Sequence, residues 1–157
     1  MPHSLGNALP SHLAPLFDGA DLEHRIGLTF LLLTTDEAGW PHMAMLSVGE
    51  LLLQNERTLR AALWLNSTAS RNLTRDGRAL LAIVADGAGY YVRLTARPRD
   101  DLDLGADGRL AAFELSVEDV LEDAVTYATL TSGITFQLHE REQVLQRWQR
   151  TLDALRG

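Results

Sequence analysis

The sequence predicts a mainly β chain. Six or seven antiparallel strands would close into a full or partial barrel, with short helices and a C-terminal amphipathic helix. Three observations predict it. Short apolar runs, several alternating with period two, recur from Gly27 to Val117 between turns rich in Gly, Asp and Asn. Only one long stretch, His139 to Arg156, carries helical periodicity instead. Strands in this number, joined by short connections, favour closure because an open sheet leaves unpaired edges.

Ser11 to Asp18 carries Leu13, Leu16 and Phe17 at helical spacing after Pro10, and Ser11 suits the N-cap. Gly27 to Thr35, the turn Asp36–Gly39 and Pro41 to Val48 read as a β-hairpin. Pro41 fits the first residue of a strand, where its missing N–H costs least. Leu51 to Asn55 reads as a short strand, and Leu59 to Leu65 alternates with period two. Small polar residues open the next segment and Gly77 closes it, which predicts a helix at about Ser67 to Asp76. Arg78 to Ala85 and Gly89 to Arg97 are strands joined by the turn Asp86–Gly89. Pro98 to Gly108, with four Asp, two Gly and a Pro, reads as a solvated loop. Ala111 to Val117 alternates again, and Ser132 to Leu138 is a last β-like segment. In the final helix, Val144, Leu145, Trp148, Leu152 and Leu155 form one apolar stripe. No linker or repeat divides the chain, so residues 1–157 are expected to form a single domain.

Composition narrows the function classes. Hydrophobic residues make up 46% and charged residues 22%, a globular balance. A formal charge of -7 disfavours nucleic-acid binding, because phosphates need a surplus of Lys and Arg. An anionic ligand must therefore be held by local donors. Without cysteine there are no disulfides, thiol catalysis or iron–sulfur clusters. Met1 to Pro10 lacks the pattern of a signal peptide, and Ile26 to Leu33 is far shorter than a membrane span. The expectation is a soluble, cytoplasmic protein that binds neither membrane nor nucleic acid. The five histidines show no ligand spacing, so no metal site is expected.

One segment carries chemistry: Leu63-Trp-Leu-Asn-Ser-Thr-Ala-Ser-Arg-Asn-Leu-Thr-Arg-Asp-Gly-Arg78. A strand feeds a turn of hydroxyl residues and then a helix start bearing Arg71. Free amides at a helix N-terminus favour an anion, and the hydroxyls of Ser67, Thr68 and Ser70 add donors. Arg71 can grip a phosphate bidentately. Plain helix capping by Ser67 or Thr68, with Arg71 and Arg75 as surface charges, accounts for the same pattern.

The run Ser70-Arg-Asn-Leu-x-x-Asp-Gly-Arg-Ala79 resembles the pyridoxamine 5′-phosphate oxidase-like FMN-binding split β-barrels, where an S-[RK]-K/N element opens the helix after the third main strand. Asp36-Glu-Ala-Gly-Trp-Pro-His-Met-Ala-Met45 resembles the family's D-x-x-G-x-P-H opening. The resemblance implies a split barrel working as a homodimer, with FMN at the interface. It implies that Met45, Leu46 and Ser47 border the isoalloxazine, that Leu65, Asn66 and Ser67 follow the ribityl chain, and that Ser70 and Arg71 take the phosphate. Asn72 stands where many members have Lys, which removes a charge from the phosphate site. The Arg-x-His substrate element of the true oxidases is not found in the final helix, so vitamin B6 oxidation is not implied. The expectation is an FMN-dependent oxidoreductase acting on a small molecule, with no catalytic side chain identified. The alternative is a protein that holds FMN, haem or a deazaflavin without turnover.

Overall fold

Eight strands form one antiparallel sheet in the computed structural model, which describes residues 1–157. They are β1 (His3–Ser4), β2 (Phe30–Thr35), β3 (Pro41–Leu46), β4 (Leu51–Asn55), β5 (Thr58–Trp64), β6 (Arg78–Ala85), β7 (Ala88–Asp103) and β8 (Arg109–Asp123). The helices are α1 (Thr68–Asp76) and α2 (Arg141–Arg156), with short 3-10 turns at Ala14–Phe17, Leu22–Arg25 and Gly105–Asp107. The main path runs β3-β2-β6-β7-β8-β5-β4, and β1 pairs with β8. The two outer strands, β3 and β4, are not paired with each other. They are consecutive in the chain and joined only by the turn Ser47–Glu50, so the barrel is split at that turn.

Alternation explains which faces are inside. Phe30, Leu32 and Thr34 of β2, Leu81 and Ile83 of β6, and Tyr90, Val92 and Leu94 of β7 are buried at every second position. All of these but Thr34 join one apolar core with Leu13, Phe17, Leu59, Phe113 and Leu115. Each fully buried leucine or phenylalanine contributes about 1.5–3 kcal/mol relative to exposure. α2 closes one side of the core through Trp148, Leu152 and Leu155. Its last turn is tied to the sheet by two arginines. Arg60 Nη1 donates to the Leu155 carbonyl at 2.6 Å, and Arg99 Nη2 donates to the Gly157 carbonyl at 2.8 Å. Both satisfy carbonyls that the helix end leaves free, and both complement its dipole.

Several segments depart from the sequence reading, three of them in kind. Ser11–Asp18 forms only a 3-10 turn at Ala14–Phe17. Pro98–Gly108 is not a loop throughout, since β7 runs to Asp103. The ladder skips a step between Arg99 and Leu102, so Asp100 and Asp101 bulge outward while Leu102 returns to pair with Leu110. The polar run thus hides a strand. Ser132–Leu138 is not a strand, and it pairs with none of the eight strands. Residues 124–140 instead form an extended strap, exposed except for partial burial of Phe136 and Leu138.

Candidate functional site

The chain leaves β5 at Trp64 and turns into α1 through Asn66, which takes a left-handed conformation with φ +59. Asparagine tolerates that region because its short polar side chain costs little there. Ser67 is the N-cap: its Oγ accepts from the Ser70 amide at 3.1 Å. The buried Ser70 hydroxyl lies 2.9 Å from Ser67 Oγ and donates to the Trp64 carbonyl at 3.0 Å. At the other end, Gly77 has φ +72 and its amide donates to Leu73 O at 2.9 Å. The Arg71 amide bonds to Ser67 O, which leaves the amides of Thr68 and Ala69 as first-turn donors without an intrachain partner. The exposed Arg71 guanidinium folds back over this turn, donating to Asn66 O and to Thr68 Oγ1, the latter at 3.3 Å.

The predicted residues divide among neighbouring hollows. Met45, Leu46 and Ser67 line a cavity of about 280 Å³ at the barrel split, together with Trp64 and Ala69 and closed by Trp148 of α2. Leu65, Asn66, Ser70 and Arg71 line an open groove of about 400 Å³ on the other side of α1, with Arg75 and Arg99. Ser47 lines a third hollow of about 470 Å³ beneath the strap, next to the split cavity and sharing Met45, Leu46, Glu50, Arg147 and Trp148 with it. Thr68 and Asn72 line none of these three. Asn72 is buried and turned toward β2: its Nδ2 donates to Thr34 Oγ1 at 3.0 Å, and its Oδ1 accepts from Arg75 at 3.2 Å.

Ser47 is engaged locally. Its amide donates to Glu50 Oε2 at 2.5 Å, its hydroxyl donates to the same oxygen, and its Oγ accepts from the Gly49 amide at 3.1 Å. Burial raises the Glu50 carboxyl above its ordinary range, partly offset by the Ser47 bonds and the positive charge of Arg147. Glu50 and Arg147 escaped the sequence reading. Ser47-Val-Gly-Glu50 has the S-x-x-E spacing of a capping box, which was a usable signal for Glu50. Arg147 gives no such signal among the charged residues of its helix.

The fold is that of the pyridoxamine 5′-phosphate oxidase-like split β-barrels. A candidate pyridoxamine 5′-phosphate oxidase from Lactobacillus delbrueckii superposes with TM-score 0.57 at 20% identity, covering 76% of this chain and 98% of that one. HupZ of Group A Streptococcus superposes with TM-score 0.55 at 16% identity, covering 82% and 99%. No family model matches the chain. The chain belongs to the same family as YclD of Bacillus subtilis, an uncharacterised protein 39% identical over 150 residues, with 96% of this chain and 97% of YclD covered. No helix is long and apolar enough to cross a membrane.

Proposed function

We propose that the chain binds FMN at the barrel split and acts as an FMN-dependent oxidoreductase on a small molecule other than a vitamin B6 phosphate. One observation carries the reading. The start of α1, with two unpartnered amides and Arg71 beside them, adjoins an apolar cavity walled by Met45, Leu46 and Trp64. That donor set fits an aromatic ring attached to a phosphate, the first against the apolar wall and the second on the helix start. The fold shared with a candidate pyridoxamine 5′-phosphate oxidase supports it.

In this reading Met45, Leu46 and Ser47 border the ring, Leu65, Asn66 and Ser67 follow the ribityl chain, and Thr68, Ser70 and Arg71 hold the phosphate. Asn72 supports α1 from behind through Thr34. Bound FMN supplies the hydride chemistry, and the chain supplies its seat and shields it from water. We also propose a homodimer that closes the site. Exposed Trp40, Met43 and Met45 at and on the outer strand β3 support that arrangement.

The test is direct. The purified protein should carry, or take up, FMN with saturable quenching of flavin fluorescence. Absence of both a flavin spectrum and FMN uptake overturns the reading.

A further inference from the structure

All fourteen basic residues of the chain are arginines. Thirteen of their guanidinium groups have a hydrogen-bond or carboxylate partner within the chain; that of Arg147 alone has neither. It is half-buried on α2 and borders both the split cavity and the hollow under the strap. No side chain pairs with its guanidinium, and Glu50, which borders both hollows, feels its charge only at longer range. Asp107, on the split-cavity side, is paired with Arg150 at 2.5 Å. Glu50 directs Oε2 to Ser47, makes no ion pair with Arg147, and is pushed by burial toward its neutral form. An unpaired guanidinium in a partly desolvated wall is costly unless an anion meets it. Half of the residues lining the hollow under the strap are apolar, among them Met45, Leu46, Ile134, Phe136, Val144 and Trp148, while Glu50 and His139 also border it.

We propose that the hollow beneath the strap is a binding pocket for a small carboxylate with an apolar body, its carboxylate seated on Arg147. The charge of the anion completes Arg147 and its body covers Trp148 and Phe136. Because the net charge of -7 repels anions in general, this recognition is local. In the flavin reading this ligand is the substrate, lying next to the ring across Met45 and Leu46; that assignment as substrate rests on the flavin reading, and the pocket does not.

The test uses benzoate as probe, with the full-length protein labelled with nitrogen-15 and the Trp148 indole N–H followed by NMR. Benzoate should shift that signal saturably. Benzamide, equal in size but neutral, should bind roughly tenfold to a hundredfold more weakly, the loss of one charge-assisted contact. Arg147→Gln should weaken benzoate by the same factor, while Arg150→Gln on the same helix should not. The comparison of benzoate with benzamide needs no variant, so it stands even if Arg147→Gln misfolds. No saturable shift with benzoate, equal binding of the two probes, or unchanged binding by a folded Arg147→Gln each overturns the pocket. FMN is titrated in parallel. Benzoate binding without FMN binding removes the flavin reading and leaves the pocket; FMN binding without benzoate binding does the reverse.

Discussion

Trp148 lies against the backbone of Gly49 so closely that a Cβ at residue 49 would fall 2.0 Å from the indole Cγ. The glycine is required by this approach and not by its φ, which is not in the left-handed region. Gly49→Ala should therefore displace Trp148, loosen α2 and cost about 1–3 kcal/mol, the usual penalty of overpacking. Urea denaturation monitored by tryptophan fluorescence checks it; an unchanged midpoint would mean that the helix yields freely.

Glu50 predicts a pH effect of definite sign. Its carboxyl is raised in the fold, so the native state holds a proton that the unfolded chain releases at lower pH. Stability should fall as pH rises from the ordinary carboxylate range through the raised value. Arg147, His42, Asp107 and His139 are the other charged or titratable groups that border the same hollows. Glu50→Gln keeps an acceptor for Ser47, so it should flatten that decline and leave the protein more stable than wild type at neutral pH. Melting temperatures compared across the pH series read the difference.

Asn72 is a support behind α1. Asn72→Ala leaves the buried Thr34 hydroxyl without its partner and should cost about 1–3 kcal/mol. Replacing Thr34 by Val in the Asn72→Ala background should add little, since the shared bond is already gone. A double-mutant cycle measures this.

Arg71 tests the phosphate seat. Arg71→Ala should weaken FMN binding by roughly 1.5–3 kcal/mol, the range of hydrogen bonds to charged groups. The variant should affect riboflavin, which lacks the phosphate, far less. Equal losses for the two ligands would place the phosphate elsewhere.

The anchor of α2 is a fourth structural test. Arg60→Ala and Arg99→Ala each remove donors from the last carbonyls of the helix, and the double variant should detach its final turn. Hydrogen exchange should then speed up from Thr151 to Arg156 while β7 and β8 stay protected.

Where local chemistry decides structure, the sequence was readable. β4 and β6 have the bounds that apolar runs and turn residues imply, and Gly77 ends α1 because only a left-handed residue can close that turn. The length of β7 and β8 was not readable, because a bulge lets Asp100 and Asp101 sit in a strand without breaking its ladder. Ile134 and Phe136 have strand propensity but pair with no strand, which depends on where the strap crosses the fold and not on those residues. The same limit governs the site. Ser67 as cap is local, whereas Ser67 and Ser70 facing different hollows depends on how α1 is rotated against β5. Arg147 was invisible because its distinguishing property is the lack of a neighbour.

The split between β3 and β4 has a consequence for assembly order. The β6–β7–β8 meander closes through short turns, but β2 must find β6 and β5 must find β8 across long stretches, pairing Leu33 with Leu80 and Ala61 with Phe113. Loop entropy makes these late contacts. One wall of the split cavity arrives with β3 on one arm, and the other with β5 and α2 on the opposite arm. A ligand gripping both walls therefore acts as a clasp on the last-formed contacts, and its free concentration sets how long the two arms stay joined.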